Sequence, residues 1–267
     1  MGRVTSRDGT SIAYDLHGDG PPLILVGGGL DDGAENVPLA AEMAGRFGVY
    51  NYARRGRGGS GDTFPYSVQR EIEDLEALIA EAGGAAYLHG VSSGGALALE
   101  AAAAGLRIDK VSVYEVPYAI ADGLAAQWRT YRERLDTVLA EGRRDDAVVL
   151  FMQLAGASEK VIAEAKESPV WPGLEGLAHT LAYDAACLGD GRPPAPRFAK
   201  ITQPVLVATG DSGGDPNMSG LPDDFLGRAA NAIAASIPHA RRVSIPGQPH
   251  VADPKAIAPL LTRFFEE

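Results

Sequence analysis

The sequence contains a single cysteine, Cys187, so no disulfide bond can form within the chain. This excludes a small domain held together by disulfides and fits a reducing compartment, so we expect a cytoplasmic protein. Cys187 lies in the apolar stretch Leu-Ala-Tyr-Asp-Ala-Ala-Cys-Leu-Gly. We therefore interpret it as a buried structural thiol rather than a nucleophile.

Basic residues are scarce relative to acidic ones. The chain has 24 Lys and Arg against 35 Asp and Glu, which gives a net charge of -11. Such a surface repels nucleic acid and anionic lipid, so neither is an expected partner. The sequence also lacks an apolar run of the roughly 18 residues that a membrane span needs. Its first ten residues lack the apolar segment of a signal peptide.

Motifs that hold metals or phosphates are absent as well. The sequence has no CxxC pair, no HExxH and no Walker pattern, so we expect no metal and no cofactor. Gly27-Gly28-Gly29 follows an apolar run, but Asp32 stands where a dinucleotide-binding loop has its third glycine. The segment Arg54-Arg55-Gly56-Arg57-Gly58 resembles a basic anion site, although we favour a structural turn.

Short apolar runs alternate with helical patterns at both ends of the chain. Residues 23–26 form a continuous apolar run, which is typical of a strand buried on both faces. In residues 67–82 apolar side chains recur at helical spacing after Ser67, a candidate cap. Further strands are predicted at the N-terminus and at 11–16, 49–52, 85–89, 111–114, 204–209 and 242–245, and further helices at 97–104, 225–236 and 254–265. This alternation predicts an α/β fold with a mostly parallel central sheet flanked by helices.

The alternation stops between residues 117 and 200. Helical patterns such as 125–140 and 147–154 occur there without a convincing strand, and a proline-rich segment at 192–196 follows. We therefore predict an α/β core formed by residues 1–116 and 201–267, with a helical cap insertion formed by residues 117–200.

The sharpest motif is Gly90-Val91-Ser92-Ser93-Gly94, which matches the G-x-S-x-G nucleophile elbow. It lies between a predicted strand and a predicted helix, as that mechanism requires. Small neighbours let the tight turn close, and the helix points its N-terminus at the serine. The motif predicts Ser92 as a nucleophile and the backbone N–H of Ser93 as a donor to an oxyanion.

A serine nucleophile needs a base, and the sequence has five histidines. His250 follows the last predicted strand in Pro246-Gly247-Gln248-Pro249-His250, the place where the order Ser, acid, His puts the base. We therefore predict His250 as the general base. The others are expected in structural or surface positions: His17, His89, His179 and His239.

The residues alone leave the third member of the triad open. Asp211 and Asp215 follow one predicted strand, whereas Glu115 directly follows another. A glutamate at the carboxyl end of an apolar strand would otherwise be a costly half-buried charge. Either choice would orient the imidazole and stabilise its charged form.

At this point the chain resembles a known family. It is similar to α/β-hydrolases throughout and, within that fold, to the fungal zearalenone lactonases and a group of small actinobacterial hydrolases. The resemblance is carried by Ser92-Ser93-Gly94, Glu115-Val116-Pro117 and Pro169-Val170-Trp171. It implies Glu115 as the acid, the N–H of Gly29 as the second oxyanion donor, and Trp171 in the substrate pocket.

These features predict a serine hydrolase, a carboxylic ester hydrolase of EC 3.1.1 type. It would cleave an ester or lactone of a small apolar molecule through an acyl-enzyme. The alternatives are a C–C bond-cleaving or other non-hydrolytic enzyme of natural-product metabolism, and a ligand receptor on the same fold. The only predicted partner is the small-molecule substrate, and a homodimer is left open. The candidate substrate-binding residues lie in the cap: Trp128, Met152, Trp171 and Tyr183.

Overall fold

The structure is a computed structural model that describes residues 1–211 and 220–267. Its strands are β1 (Gly2–Thr5), β2 (Ser11–His17), β3 (Pro22–Val26), β4 (Gly48–Tyr52), β5 (Ala86–Val91), β6 (Ile108–Tyr114), β7 (Val205–Gly210) and β8 (Ala240–Ile245). They form one eight-stranded sheet in the order β1-β2-β4-β3-β5-β6-β7-β8. The pairs β1–β2 and β2–β4 are antiparallel, and every other pair is parallel. The predicted mostly parallel sheet is confirmed.

Helices connect the strands and cover the sheet. They are α1 (Val37–Met43), α2 (Val68–Glu81), α3 (Ser93–Ala103), α4 (Asp122–Ala140), α5 (Arg144–Ala155), α6 (Glu159–Lys166), α7 (Trp171–Leu177), α8 (Leu181–Leu188), α9 (Ala195–Phe198), α10 (Phe225–Ser236) and α11 (Pro254–Glu266), with a 3-10 turn at Ala178–Thr180. Helix α1 is not predicted from the sequence, because seven residues are too few for a clear periodic pattern.

Two local predictions about helix starts need correction. Ser67 does precede α2, but its side chain makes no capping hydrogen bond. Helix α3 begins at Ser93 rather than at residue 97. Its first turn contains Gly94 and Gly95, which are weak helix formers, so propensity places the start too late. Close packing requires glycine in this turn instead, since a Cβ on Gly94 would overlap the backbone of Val26 and Gly27 and one on Gly95 would overlap the side chain of Val116.

The core lies on both faces of the sheet. Leu23, Ile24, Leu25 and Val26 of β3 are all completely buried. Ile24 and Val26 join one hydrophobic cluster and Leu23 and Leu25 the other, as the alternation of side chains along a strand requires. Burying each of these side chains stabilises the fold by about 1.5–3 kcal/mol. The sheet is therefore a rigid support for the loops at its edges.

The carboxyl ends of the parallel strands bring several polar residues to one edge of the sheet. Gly29 follows β3, Ser92 follows β5, Glu115 follows β6, and His250 follows β8. Between β6 and β7 the chain forms helices α4 to α9 and no strand. We retain residues 117–200 as a proposed cap, because α4, α5 and α8 supply side chains above this edge. In the two described segments, no helix has the length and apolar character that crossing a membrane requires.

Candidate active site

The turn that carries Ser92 is strained and depends on its glycines. Ser92 has φ 54° and ψ -127°, a conformation that non-glycine residues rarely adopt. A Cβ on Gly90 would lie within 3 Å of the backbone of Gly94 and Gly95. A Cβ on Gly94 would overlap the carbonyl oxygen of Gly27. The local sequence therefore fixes Ser92 between β5 and the first turn of α3, at a cost of about 1–3 kcal/mol that the packed core offsets.

Glu115 and His250 form a hydrogen-bonded pair. His250 Nδ1 lies 2.8 Å from Glu115 Oε2. The other carboxylate oxygen, Oε1, accepts a hydrogen bond of 2.8 Å from the backbone N–H of Gly210 at the end of β7. Glu115 is only 4% exposed and its φ of 52° is again left-handed. Both oxygens of this buried carboxylate are thus engaged, and its orientation toward the imidazole is fixed.

The loop of His250 is held by a second contact from β6. The hydroxyl of Tyr114 donates a hydrogen bond of 2.6 Å to the carbonyl of Pro249. Burial raises the pKa of Tyr114, so the phenol keeps its proton and remains a donor. Tyr114 therefore positions the peptide that precedes His250. Glu115, the next residue in the chain, positions the His250 side chain.

Asp211 and Asp215 are the alternative acids that the sequence left open. Asp211 is exposed and its carboxylate accepts a hydrogen bond from the backbone N–H of Gly247, not from His250. Asp215 lies outside the described residues. Of the candidates that the structure describes, Glu115 is the one brought to His250.

Ser92, Ser93, Gly29 and His250 line one cavity of about 240 Å³. In the part of the chain that the structure describes, the Ser92 hydroxyl makes no hydrogen bond with His250. Catalytic hydrogen bonds are often loose in free enzymes and tighten when substrate is bound. The cavity is otherwise mainly apolar and is closed by side chains of the helices between β6 and β7: Leu124, Trp128, Tyr131, Phe151, Leu181 and Leu188.

Gly29 and Ser93, which both line this cavity, have backbone N–H groups without a partner in the described segments. Within residues 1–211 and 220–267, the N–H groups of Gly29 and Ser93 donate no hydrogen bond. The N–H of Ser93 is also the first of helix α3, where the helix dipole favours negative charge. Two unpaired donors on adjacent loops are what a developing oxyanion requires.

Among the four predicted substrate-binding residues, Trp128 lines the cavity and the other three do not. Trp171 is 6% exposed and its indole N–H donates to Asp145, which turns the ring toward α5. The hydroxyl of Tyr183 donates to Asp62 at 2.7 Å. Met152 packs against the core cluster instead of the cavity. The sequence indicates helices in this region, but not which of their side chains face the cavity.

Sequence reasoning missed a buried ionic cluster beside the cavity. Arg54 binds Glu71 through two hydrogen bonds of 2.7 Å, and Arg54 and Arg57 both lie 2.8 Å from Asp184 Oδ1. Burial opposes the charged form of Asp184, but Arg57 and Arg54 outweigh it and hold its pKa below the usual value. Arg54 and Arg57 of the arginine-rich turn pair their charges inside the protein, and they reach the cavity wall through Asp184.

The remaining nucleophilic and basic candidates lie elsewhere. Cys187 is buried, and burial raises its pKa to about 12, so its thiol is not a nucleophile near neutral pH. His89 is buried beside Ser112, and burial lowers its pKa to about 4. In the described segments, no group of three or more His, Cys, Asp or Glu side chains could hold a metal ion.

Comparison with known proteins identifies the family. The sequence pattern of the Alpha/beta hydrolase family matches residues 11–260. The chain belongs to this family. A solved structure of the same family supports this assignment. The alpha/beta hydrolase from Sphaerobacter thermophilus is 47% identical to this chain, with a TM-score of 0.87 over 99% of this chain and 100% of the other.

More distant solved structures share the alpha/beta hydrolase fold. An esterase from Thermogutta terrifontis is 22% identical with a TM-score of 0.70, over 99% of this chain and 97% of that one. An enol-lactonase from Burkholderia xenovorans is 22% identical with a TM-score of 0.65, over the full length of both chains. No curated protein matches the chain. The family makes a hydrolase the expected activity, and the predicted fold class is confirmed.

Proposed function

We propose that this alpha/beta hydrolase is a serine hydrolase that cleaves carboxylic esters or lactones of small apolar molecules through an acyl-enzyme. The observation that carries the proposal is the cavity shared by Ser92 and His250, with Glu115 bound to His250 and the unpaired N–H groups of Gly29 and Ser93 in the same lining. A nucleophile, a base with an orienting acid and an oxyanion site are the three parts that acyl transfer requires.

In the first half-reaction the Ser92 hydroxyl attacks the substrate carbonyl. His250 Nε2 takes the hydroxyl proton, while Glu115 accepts the Nδ1–H hydrogen bond and stabilises the imidazolium that forms. The negative charge on the carbonyl oxygen is stabilised by the N–H groups of Gly29 and Ser93. Collapse of this tetrahedral intermediate breaks the bond to the alkoxy group, which leaves with the proton from His250.

The second half-reaction reverses these roles with water. His250 takes a proton from water, the hydroxide attacks the acyl carbonyl, and the same two N–H groups stabilise the second oxyanion. The carboxylic acid leaves as the bond to Ser92 breaks, and His250 returns the proton to the serine. In a lactone the acid and the alcohol remain in one product molecule.

The cavity supports a small and largely apolar substrate. Its volume of about 240 Å³ lies below the range of roughly 300–1,000 Å³ that is typical for drug-sized ligands. Its aromatic lining comes from Trp128, Tyr131, Phe151 and Phe225. The esterase and the enol-lactonase of similar fold are consistent with ester or lactone hydrolysis by this chain.

The test is turnover of short-chain p-nitrophenyl esters and simple lactones by the wild type and by Ser92→Ala. We expect hydrolysis by the wild type and a loss of about 10⁶-fold in kcat for the variant. Ser112→Ala is a matched control, because Ser112 is buried beside His89 and outside the cavity lining. Full activity of Ser92→Ala would refute the mechanism, and tight binding of intact esters without product would favour a receptor.

A further inference from the structure

Two arginines donate hydrogen bonds to carbonyl groups of the loop that follows β3. Arg54 Nη1 donates to the carbonyl of Gly27 at 3.3 Å, and Arg57 Nη1 donates to the carbonyl of Gly28. In a trans peptide the C=O and the following N–H point in opposite directions. The hydrogen bond from Arg57 to the Gly28 carbonyl therefore orients the N–H of Gly29 away from the guanidinium. That N–H donates no hydrogen bond in the described segments, and Gly29 lines the cavity.

The second donor is tied to the same cluster through Asp184. Asp184 Oδ1 accepts a hydrogen bond of 2.7 Å from the side chain of Ser93. The same oxygen lies 2.8 Å from Arg54 Nη1 and 2.8 Å from Arg57 Nη2. One carboxylate oxygen thus links the residue that supplies the α3 donor to the arginines that hold the loop of the other donor.

The cluster is deeply buried and its charges balance. Arg54 and Arg57 are each 1% exposed and Asp184 is 5% exposed. Glu71, also buried, supplies the second negative charge. Removing paired charges from water costs free energy that apolar side chains of similar size would not incur. The free energy of folding alone therefore explains this cluster poorly, whereas the strong charge-assisted hydrogen bonds of Arg54 and Arg57 fix the Gly27 and Gly28 carbonyls.

We propose that Arg57 and Asp184 are positioning residues that hold the N–H groups of Gly29 and Ser93 in place for the oxyanion. The inference rests on the proposed function, because it concerns the same site. Asp184 Oδ2 lies close to the same loop, 3.4 Å from an added Cβ on Gly29, and has no hydrogen-bond partner in the described segments.

The experiment compares Arg57→Lys and Asp184→Asn with the matched control Arg55→Lys. Arg55 belongs to the same turn and is equally buried, but it binds Asp74 and Asp8 and not the oxyanion loop. We expect Arg57→Lys and Asp184→Asn to lower kcat on p-nitrophenyl butyrate by about 10²-fold, the loss expected when donors shift by an ångström or lose alignment. KM should change little, because the ground-state ester needs no oxyanion donor.

A second readout reports the oxyanion itself. A trifluoromethyl ketone forms a hemiketal with Ser92, and its affinity should fall in parallel with kcat in Arg57→Lys and Asp184→Asn. Arg55→Lys should lower the melting temperature without changing either quantity. If all three variants lose stability and kcat together, or if the ketone affinity is unchanged in Arg57→Lys and Asp184→Asn, the cluster is structural and the inference is wrong.

Failure of the proposed function gives a different result. A wild type that neither turns over esters nor forms the ketone adduct at Ser92 would overturn the function and the inference together. An active wild type with unaffected Arg57→Lys and Asp184→Asn would overturn the inference alone. Asp184→Asn keeps the side-chain volume, so it remains informative if Arg57→Lys does not fold.

Discussion

Replacing Glu115 by glutamine is a sharp perturbation, because the structure dictates how the new side chain must sit. The backbone N–H of Gly210 donates to Glu115 Oε1, so the glutamine oxygen stays on that side. The amide NH₂ then faces His250 Nδ1, where the carboxylate oxygen lies 2.8 Å away in the wild type. A donor at this position forces Nδ1 to be an acceptor and leaves the ring proton on Nε2. This tautomer cannot take the proton of Ser92.

The magnitude follows from the tautomer. Serine hydrolases with the imidazole held in the wrong tautomer lose about 10⁴-fold in kcat, which corresponds to about 5 kcal/mol of transition-state stabilisation. Steady-state hydrolysis of p-nitrophenyl butyrate measures this, and thermal unfolding checks that the variant is folded. Asp211→Asn is the matched control, since Asp211 is exposed and bonds Gly247 rather than His250.

Two results would refute this reasoning. If Glu115→Gln kept most of the wild-type kcat, a carboxylate at this position would not be needed to orient His250. If instead Asp211→Asn or Asp215→Asn abolished activity while Glu115→Gln spared it, the acid would come from the segment after β7.

Three further predictions concern stability and specificity. Burial lowers the pKa of His89 from 6.5 to about 4, so its contribution to the free energy of unfolding is intact above pH 6.5 and falls by about 3 kcal/mol towards pH 4. Urea unfolding across this range should show that fall in the wild type and in the exposed-site control His239→Gln, but largely not in His89→Asn. Gly94→Ala should lower the free energy of unfolding by about 1–3 kcal/mol or more, because the added Cβ would overlap backbone oxygens. The control Gly227→Ala should raise it by up to about 1 kcal/mol, because nothing lies within 4 Å of the added Cβ. Equal melting temperatures for the two glycine variants would contradict this. Phe151 lines the cavity, so Phe151→Ala should enlarge it and raise kcat/KM for esters with longer acyl chains relative to short ones. If the kcat/KM values over a p-nitrophenyl ester series are unchanged, Phe151 does not limit the chain length.

The parts of the site that depend on local sequence could be predicted. The elbow around Ser92 needs only a strand, a helix and glycines within a few residues, and the buried strand at residues 23–26 needs only a continuous apolar run. Both lie where the pattern indicates. Local sequence and the hydrolase order of residues together also pointed to His250.

Long-range pairings could not be read from the same patterns. Glu115 and His250 are 135 positions apart, and Arg54 and Asp184 are 130 apart, so only the folded chain shows which charges meet. Trp171 is a second example of a long-range contact that the sequence does not reveal. The resemblance to the lactonases implies a pocket residue at this position, but its indole N–H donates to Asp145 and Trp171 does not line the cavity.

The most direct measurement is intact-protein mass spectrometry after reaction with a fluorophosphonate, followed by peptide mapping. An activated serine should give one adduct, located on Ser92, that is lost in His250→Ala and strongly slowed in Glu115→Gln. No adduct, or an adduct on another residue, would contradict the assignment of Ser92 as the nucleophile of an assembled serine hydrolase site.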